Sequence, residues 1–235
     1  MLKTKYKRFL LKISGEALAG SQKHGIDFDA VKETCEMIKK CVETGSEIAI
    51  VVGGGNFWRG RSSGTMDRVK ADNIGMLATV MNAVALQDTL EQLGVEAVVM
   101  TAIPFPQIGE YYSPARAINH LENKKVVIFG YGTCNAFFST DTAASLRAAE
   151  INAEIIFKAT NTDGVYDSDP KTNPNAKKYT EVSFGEILSK DLKVMDSTAA
   201  SMCRDNNIPV MVFSIKDPEN IIRAISGENV GTLAK

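Results

Sequence analysis

Phe9-Leu10-Leu11-Lys12-Ile13-Ser14-Gly15 and Ile48-Ala49-Ile50-Val51-Val52-Gly53-Gly54-Gly55-Asn56 are the stretches whose reading decides the fold. Each is a short apolar run that ends in glycine and polar residues. A run of this kind, without alternation, reads as a strand buried on both faces. Its glycine end leaves bare backbone N–H groups at the mouth of a sheet. Such a nest attracts phosphate, and Lys12 adds a full positive charge beside it. Glycine is also a common turn residue and lysine a common surface charge, so an ordinary turn is the alternative for either stretch taken alone. Two such loops within the first 56 residues favour phosphate binding.

Outward from these stretches, strand and helix patterns alternate. Phe9–Ile13 and Glu47–Val52 read as strands, with a helix over Asp29–Thr44 between them that places Val31, Cys35, Ile38 and Val42 at helical spacing. A long helix is expected from about Asp72 to Leu93, with Ile74, Leu77, Val80, Met81, Val84 and Leu90 as its buried stripe and Gly94 as its stop. Strands follow at Val95–Met100, Lys125–Phe129, Ile155–Lys158 and Val210–Phe213. Helices are expected at Ala115–Glu122, Thr140–Ile151 (capped by Thr140 or Asp141), Phe184–Ser189, Thr198–Asn206, and from Asp217-Pro218 to about Ile225. Between Ala159 and Tyr179 the composition changes to turn chemistry, with Asn161-Thr162-Asp163-Gly164 and Asp167-Ser168-Asp169-Pro170. Alternation of this kind predicts an α/β fold: a three-layer αβα sandwich around a central, mostly parallel sheet. Ligands of such sheets bind at the carboxyl ends of the strands, which is where every glycine-rich or polar motif of this chain falls.

The chain has 235 residues, 44% hydrophobic and 23% charged, with a net charge of −1, which suits one sizeable soluble core. That charge balance gives no reason to expect nucleic acid or a membrane surface as partner. The four cysteines (Cys35, Cys41, Cys134, Cys203) have no CxxC spacing and there are only two histidines, so neither a disulfide framework nor a metal site is expected. No apolar run approaches the roughly 18 residues of a membrane span. The basic N-terminus lacks the apolar region of a signal peptide, and a cytoplasmic location is expected.

Neither common nucleotide motif is present: no Gly-Lys dipeptide exists for a P-loop, and Trp58 stands where GxGxxG needs its third glycine. Arg59 and Arg61 follow the Gly53–Gly55 turn and suit a phosphate clamp, or a solvated surface loop. Gly130–Asp141 gathers glycines, hydroxyls, an amide and an acid ahead of a helix start, which suits an anionic ligand; Phe137 and Phe138 then form a wall, the alternative being core plugs. Lys158 ends an apolar strand, where its charge calls for an anion. Asp163 and Asp169 read first as turn residues, with lysine orientation or a magnesium shell as alternatives. Asp196 reads equally as a helix cap or a site residue.

These motifs together resemble the UMP kinase branch of the amino acid kinase superfamily. The resemblance is carried by Lys12-Ile13-Ser14-Gly15-Glu16-Ala17-Leu18, Gly53-Gly54-Gly55-Asn56 with Arg59-Gly60, Asp72 with Gly75–Asn82, the Thr133–Asp141 segment, Lys158-Ala159-Thr160 with Asp163-Gly164-Val165-Tyr166, and Lys193-Val194-Met195-Asp196. It covers nearly the whole chain in order. It implies transfer of the ATP γ-phosphoryl group to UMP, with Mg²⁺ accompanying ATP, in pyrimidine nucleotide synthesis. Lys12, Ile13, Ser14, Gly15, Gly55 and Arg59 would lie at the ATP phosphates, and Thr160, Asn161, Tyr166 and Asp169 at its adenosine. Gly54, Asp72 and the loop Thr133, Cys134, Asn135, Ala136, Phe137, Phe138, Ser139 and Thr140 would hold UMP, with Asp72 accepting from the ribose. Lys12 and Lys158 would stabilise the phosphoryl group in transfer, while Asp141 and Asp196 orient them and the loops. The loop departs from the usual family pattern at Cys134, Ala136 and Ser139; Cys134 replaces a glycine, where a left-handed backbone is costly.

The resemblance further implies one domain over 1–235, its first part (about 1–150) mainly for UMP and oligomer contacts and its second (about 151–235) mainly for ATP. It also implies a homohexamer, inhibition by UTP and activation by GTP in some members. The competing readings are a superfamily kinase acting on a carboxylate or carbamate, and a non-catalytic nucleotide sensor on the same scaffold.

Overall fold

A computed structural model describes residues 4–59, 64–170, 172–217 and 219–235; Gly60, Arg61 and Pro218 lie outside the described residues. Its centre is a nine-stranded sheet. The strands are β1 (Arg8–Ile13), β2 (Glu47–Val52), β3 (Ala97–Thr101), β4 (Glu110–Tyr111), β5 (Val126–Gly130), β6 (Ile155–Thr160), β7 (Glu181–Val182), β8 (Val210–Ser214) and β9 (Thr232–Ala234). They lie in the order β4-β3-β5-β2-β1-β6-β8-β9-β7, and the pairing is parallel except between β8 and β9. The short strands β4, β7 and β9 have no sequence signal of their own, because two or three residues are too few to show a period.

Alternate residues of the central strands serve two different cores. Phe9, Leu11, Ile13, Ile48, Ile50, Ile155 and Phe157 face one side. There they meet α1 (Gly15–Leu18), α2 (Phe28–Glu43), α3 (Arg68–Gln92) and α8 (Glu219–Ile225). Leu10, Ala49, Val51, Val127, Phe129 and Ile156 face the other. That side is covered by α4 (Pro114–Glu122), α5 (Thr140–Glu150), α6 (Phe184–Ser189) and α7 (Ser197–Asp205). Both faces are buried, so the central strands are apolar apart from Arg8, Lys12, Glu47, Lys158 and a few threonines and serines, as the parallel arrangement requires. This is the expected three-layer αβα architecture.

Three local expectations need correction. The long helix begins at Arg68 rather than Asp72, because Asp67 caps it by accepting from the Lys70 N–H. Its buried stripe is also different: Leu77, Met81 and Val84 are exposed, while Ala71, Ala78, Val80, Ala83, Leu86 and Leu90 are buried. Helix α3 is apolar on two faces, and the sheet takes the one with smaller residues, which lets the backbone approach closely. Finally, the cap of α5 is Ser139, whose hydroxyl accepts from the Asp141 and Thr142 N–H groups. Asp141 cannot serve as the cap because its carboxylate is turned toward two lysines.

Candidate active site

Strand β1 lies between β2 and β6, and Lys12 of β1 is the register partner of Lys158 of β6. Both are in phase with residues of the α5 face, Leu10 and Ile156. Side chains two apart on a strand share a face, so the two lysines project side by side toward the start of α5. Asp141, in the first turn of that helix, receives them both. Lys12 Nζ lies 3.0 Å from Oδ1 and Lys158 Nζ 2.5 Å from Oδ2. Lys158 is 7% exposed and also donates to the Val194 carbonyl.

Burial by itself would raise the Asp141 pKa, but the two ammonium groups outweigh it and hold the carboxyl at about 2. Burial lowers the Lys158 pKa below its ordinary value; Asp141 opposes that shift and Lys12 adds to it. Two ammonium groups thus converge on one carboxylate at the mouth of the sheet, with the Asp196 carboxylate also acting on Lys158.

The glycine loops form the floor. Gly53 N–H donates to the Ile13 carbonyl, at 2.9 Å. A Cβ on Gly15 would stand 2.5 Å from the Gly53 carbonyl oxygen, so the two loops touch backbone to backbone. A Cβ on Gly54 would meet the Gly75 carbonyl oxygen of α3 at 2.5 Å. Only glycine permits these approaches. The loops are pinned from behind by a buried amide pair. Asn56 Nδ2 donates to Asn82 Oδ1 at 2.9 Å and Asn82 Nδ2 to Asn56 Oδ1 at 2.8 Å. Asn82 also donates to the Gly53 carbonyl and Asn56 to that of Gly25, each at 2.7 Å.

A cleft of about 740 Å³ opens over this floor. Lys12, Ser14, Gly15, Gly54, Gly55, Arg59, Asp72, Asp141 and Asp196 line it, together with Thr133, Asn135, Phe137, Phe138, Ser139 and Thr140. Ile13 is in the core below, and Lys158 is reached through Asp141. Cys134 and Ala136 belong to the same loop without lining the cleft. Thr160, Asn161, Tyr166 and Asp169 do not line it either. Asn161 nevertheless touches the rim, donating to Glu16 at 3.3 Å, and Glu16 pairs with Arg59. Tyr166 donates to Asp163, which also pairs with Lys178 at 3.0 Å.

The far wall is the segment from Tyr131 to Ser139. Tyr131, Cys134 and Phe137 have φ of 65°, 65° and 71°, and Gly132 has 53°. Cys134 therefore takes up the left-handed backbone that a glycine would adopt freely. Each such residue costs about 1–2 kcal/mol, and the loop keeps its shape because neighbours tether it. Tyr131 N–H donates to Thr79 Oγ1 and Phe137 N–H to Asp72 Oδ2, at 2.9 and 2.8 Å. The Ser139 hydroxyl donates to Asp196, which also accepts from Thr142 and caps α7 through the Ala199 N–H. Asp196 thus serves both as cap and as loop anchor. Phe137 and Phe138 are 65% and 50% exposed, so they form a wall and do not plug the core. Asp72 is further held by Arg68, whose Nε lies 2.9 and 2.8 Å from its two oxygens. The Arg68 guanidinium stands 5.4 Å from the Phe137 ring.

Arg68, Thr79 and Arg147 were not singled out in the sequence. Arg147 carried a signal, as the lone basic residue in a helix otherwise rich in alanine; Arg68 carried none, and Thr79 only its place within Gly75–Asn82. Among the described residues, no three His, Cys, Asp or Glu side chains gather to hold a metal ion, and no helix is long and apolar enough to cross a membrane.

Residues 7–214 match the amino acid kinase family. The structure is similar to that of UMP kinase from Bacillus anthracis, with a TM-score of 0.94 and 39% identity over 98% of this chain and 96% of that one. It is also similar to UMP kinase from Ureaplasma parvum, with a TM-score of 0.92 and 39% identity over 100% of both chains. Uridylate kinase from Archaeoglobus fulgidus has a TM-score of 0.72 and 27% identity over 97% of this chain and 99% of that one.

Proposed function

The chain belongs to the amino acid kinase family, and from that premise we propose that it is a UMP kinase, transferring the γ-phosphoryl group of ATP to UMP to give ADP and UDP. The single observation that carries the chemistry is the convergence of Lys12 and Lys158 on Asp141 above the glycine floor.

A UMP phosphate oxygen attacks the γ-phosphorus, and the bond to the ADP oxygen breaks. A phosphate monoester has a second pKa near 6, so this nucleophile is already largely ionised at neutral pH and no general base is needed. The obstacle is repulsion between two anions and the charge of the transferring group. Fixed positive charges and backbone N–H groups lower that barrier, because they are in place before the reaction. Lys12 and Lys158 supply the charges, and Asp141 keeps both ammonium groups aimed at one point. Mg²⁺ would accompany ATP as part of the substrate and would offset charge on its phosphate oxygens. The Asp141 carboxylate is ion-paired with two lysines and Asp196 accepts from hydroxyls, which suits delivery of the ion by the nucleotide.

Asp72 and the Tyr131–Ser139 wall form the UMP side of the cleft. Ser14, Gly15, Gly55 and Arg59 serve the ATP phosphates, with Thr160, Asn161, Tyr166 and Asp169 at the adenosine. On this reading the chain is a single domain whose first part (about 1–150) serves mainly UMP and oligomer contacts while also reaching the ATP phosphates, and whose second part (about 151–235) serves mainly ATP. The family resemblance supports a homohexamer, pyrimidine nucleotide synthesis as the pathway, UTP as feedback inhibitor and GTP as activator. Four free cysteines suit a reducing compartment, the cytoplasm.

A coupled assay with Mg·ATP and UMP, CMP, dUMP, carbamate or an amino acid as acceptor tests this directly. UMP turnover is expected to exceed that of the other acceptors. Turnover only with a carboxylate or carbamate would move the chain to another branch of the family, and no turnover at all would favour a nucleotide sensor. Adding UTP and GTP to the same assay tests the regulation.

A further inference from the structure

Arg147 is a buried charge for which the chemistry above has no use. It lines the cleft from α5, is 6% exposed, and its helical neighbours Ala143, Ala144 and Ala148 are small and buried. Its guanidinium lies 3.8 Å from the centre of the Tyr112 ring, and its Nη1 donates to Glu150 at 2.6 Å. The Tyr112 hydroxyl donates to the same carboxylate oxygen, also at 2.6 Å. Stack, ion pair and shared acceptor together hold the guanidinium in one place. Its remaining fork, Nη2, donates to the Gly132 carbonyl at 3.2 Å.

Gly132 sits inside the left-handed run that begins at Tyr131 and includes Cys134. A backbone in this sparsely populated region persists only where its surroundings over-determine it. Thr79 fixes one end of the turn through the Tyr131 N–H. The Gly132 carbonyl, two peptides further on, is held by Arg147.

We propose that Arg147 is a positioning residue for the acceptor: by holding the Gly132 carbonyl it sets the turn Tyr131–Cys134 in the shape that receives UMP. The assignment rests on the UMP kinase reading. It requires arginine rather than any cation, since one planar group must stack on a ring, pair with a carboxylate and reach a carbonyl at once. A lysine at this place keeps the charge and loses the geometry.

The test compares Arg147→Lys with the wild-type enzyme in steady-state kinetics, in calorimetric titrations with UMP and with ATP separately, and in thermal melting. The KM and Kd for UMP are expected to rise about tenfold, with the values for ATP within twofold and the protein still folded. Equal rises for both nucleotides, or an unchanged UMP constant in folded protein, would overturn the assignment. Should Arg147→Lys fail to fold, Tyr112→Leu and Tyr112→Phe replace it. The first removes both the stacking face and the hydroxyl and should raise the UMP constant alone, about threefold; the second keeps the ring and should raise it by clearly less. No difference between those two variants would also overturn it. Wild-type protein that neither binds nor phosphorylates UMP would sink the kinase reading and this assignment together, whereas wild-type turnover with indifferent variants sinks only the role of Arg147.

Discussion

Lys12 and Lys158 are equivalent in register but not in environment. Lys12 is at the cleft wall, 13% exposed, whereas Lys158 is enclosed and tied to the Val194 carbonyl. Lys12→Ala should therefore lower kcat at least about 100-fold, the scale on which a fixed electrostatic contact acts in a transition state. Its thermal midpoint should change little, because Lys158 still pairs with Asp141. Near-normal kcat would remove Lys12 from the chemistry. Lys158 should show itself in the pH profile. Its pKa is lowered by burial from the ordinary 10.5, so kcat should fall on the alkaline side with a midpoint below 10.5. The sign separates this loss from unfolding. Between its folded pKa and 10.5 the unfolded chain binds more protons at this group, so Lys158 contributes increasing stability as pH rises through that window. Activity loss accompanied by melting in the same window would discard the assignment. Asp72 offers the third test at this scale. Its carboxylate faces the loop wall, and Asp72→Asn should raise KM for UMP more than KM for ATP; an equal rise would place Asp72 elsewhere.

At the scale of elements, the glycine loops hold their shape because α3 holds them. Asn82 projects from the middle of that helix and pairs with Asn56 and the Gly53 carbonyl, all out of contact with water. Removing it leaves a buried amide and a buried carbonyl short of partners, and each such group costs about 1–3 kcal/mol. Asn82→Ala should lower the unfolding free energy by roughly 2–3 kcal/mol in denaturant melts. A change under about 0.5 kcal/mol would mean that water or a shift of the loop replaces the pair. The same helix ends its first turn at Asp72 and carries Thr79 toward the Tyr131 N–H, so one rigid element positions both the phosphate floor and the acceptor wall. Periodicity announced the helix, but not which of its faces the protein would use.

For the whole molecule, the unused face of α3 is the feature that bears on the proposed self-association. Leu77, Met81 and Val84 stand in a row at 44%, 51% and 39% exposure, an apolar stripe on an otherwise ordinary surface. If the proposed self-association covers it, Met81→Asp should reduce the mass seen by light scattering without unfolding the chain, since the side chain is not part of the core. Wild-type mass equal to a single chain of 25.5 kDa would end that proposal. The sequence alone settled the α/β class and the glycine-ended strands: uninterrupted apolar runs can be covered only on both faces, and glycine can be read wherever it stands. It also singled out Lys12 and Lys158, because a lysine that interrupts an apolar run is conspicuous in a linear pattern, although β6 runs on past Lys158 to Thr160. The sequence could not place Asp141 between them, choose the buried face of α3, or bring Arg147 behind the loop wall. Those outcomes depend on strand order and on the crossover that lays α5 over β1 and β6, and contacts between different elements leave no local period to read.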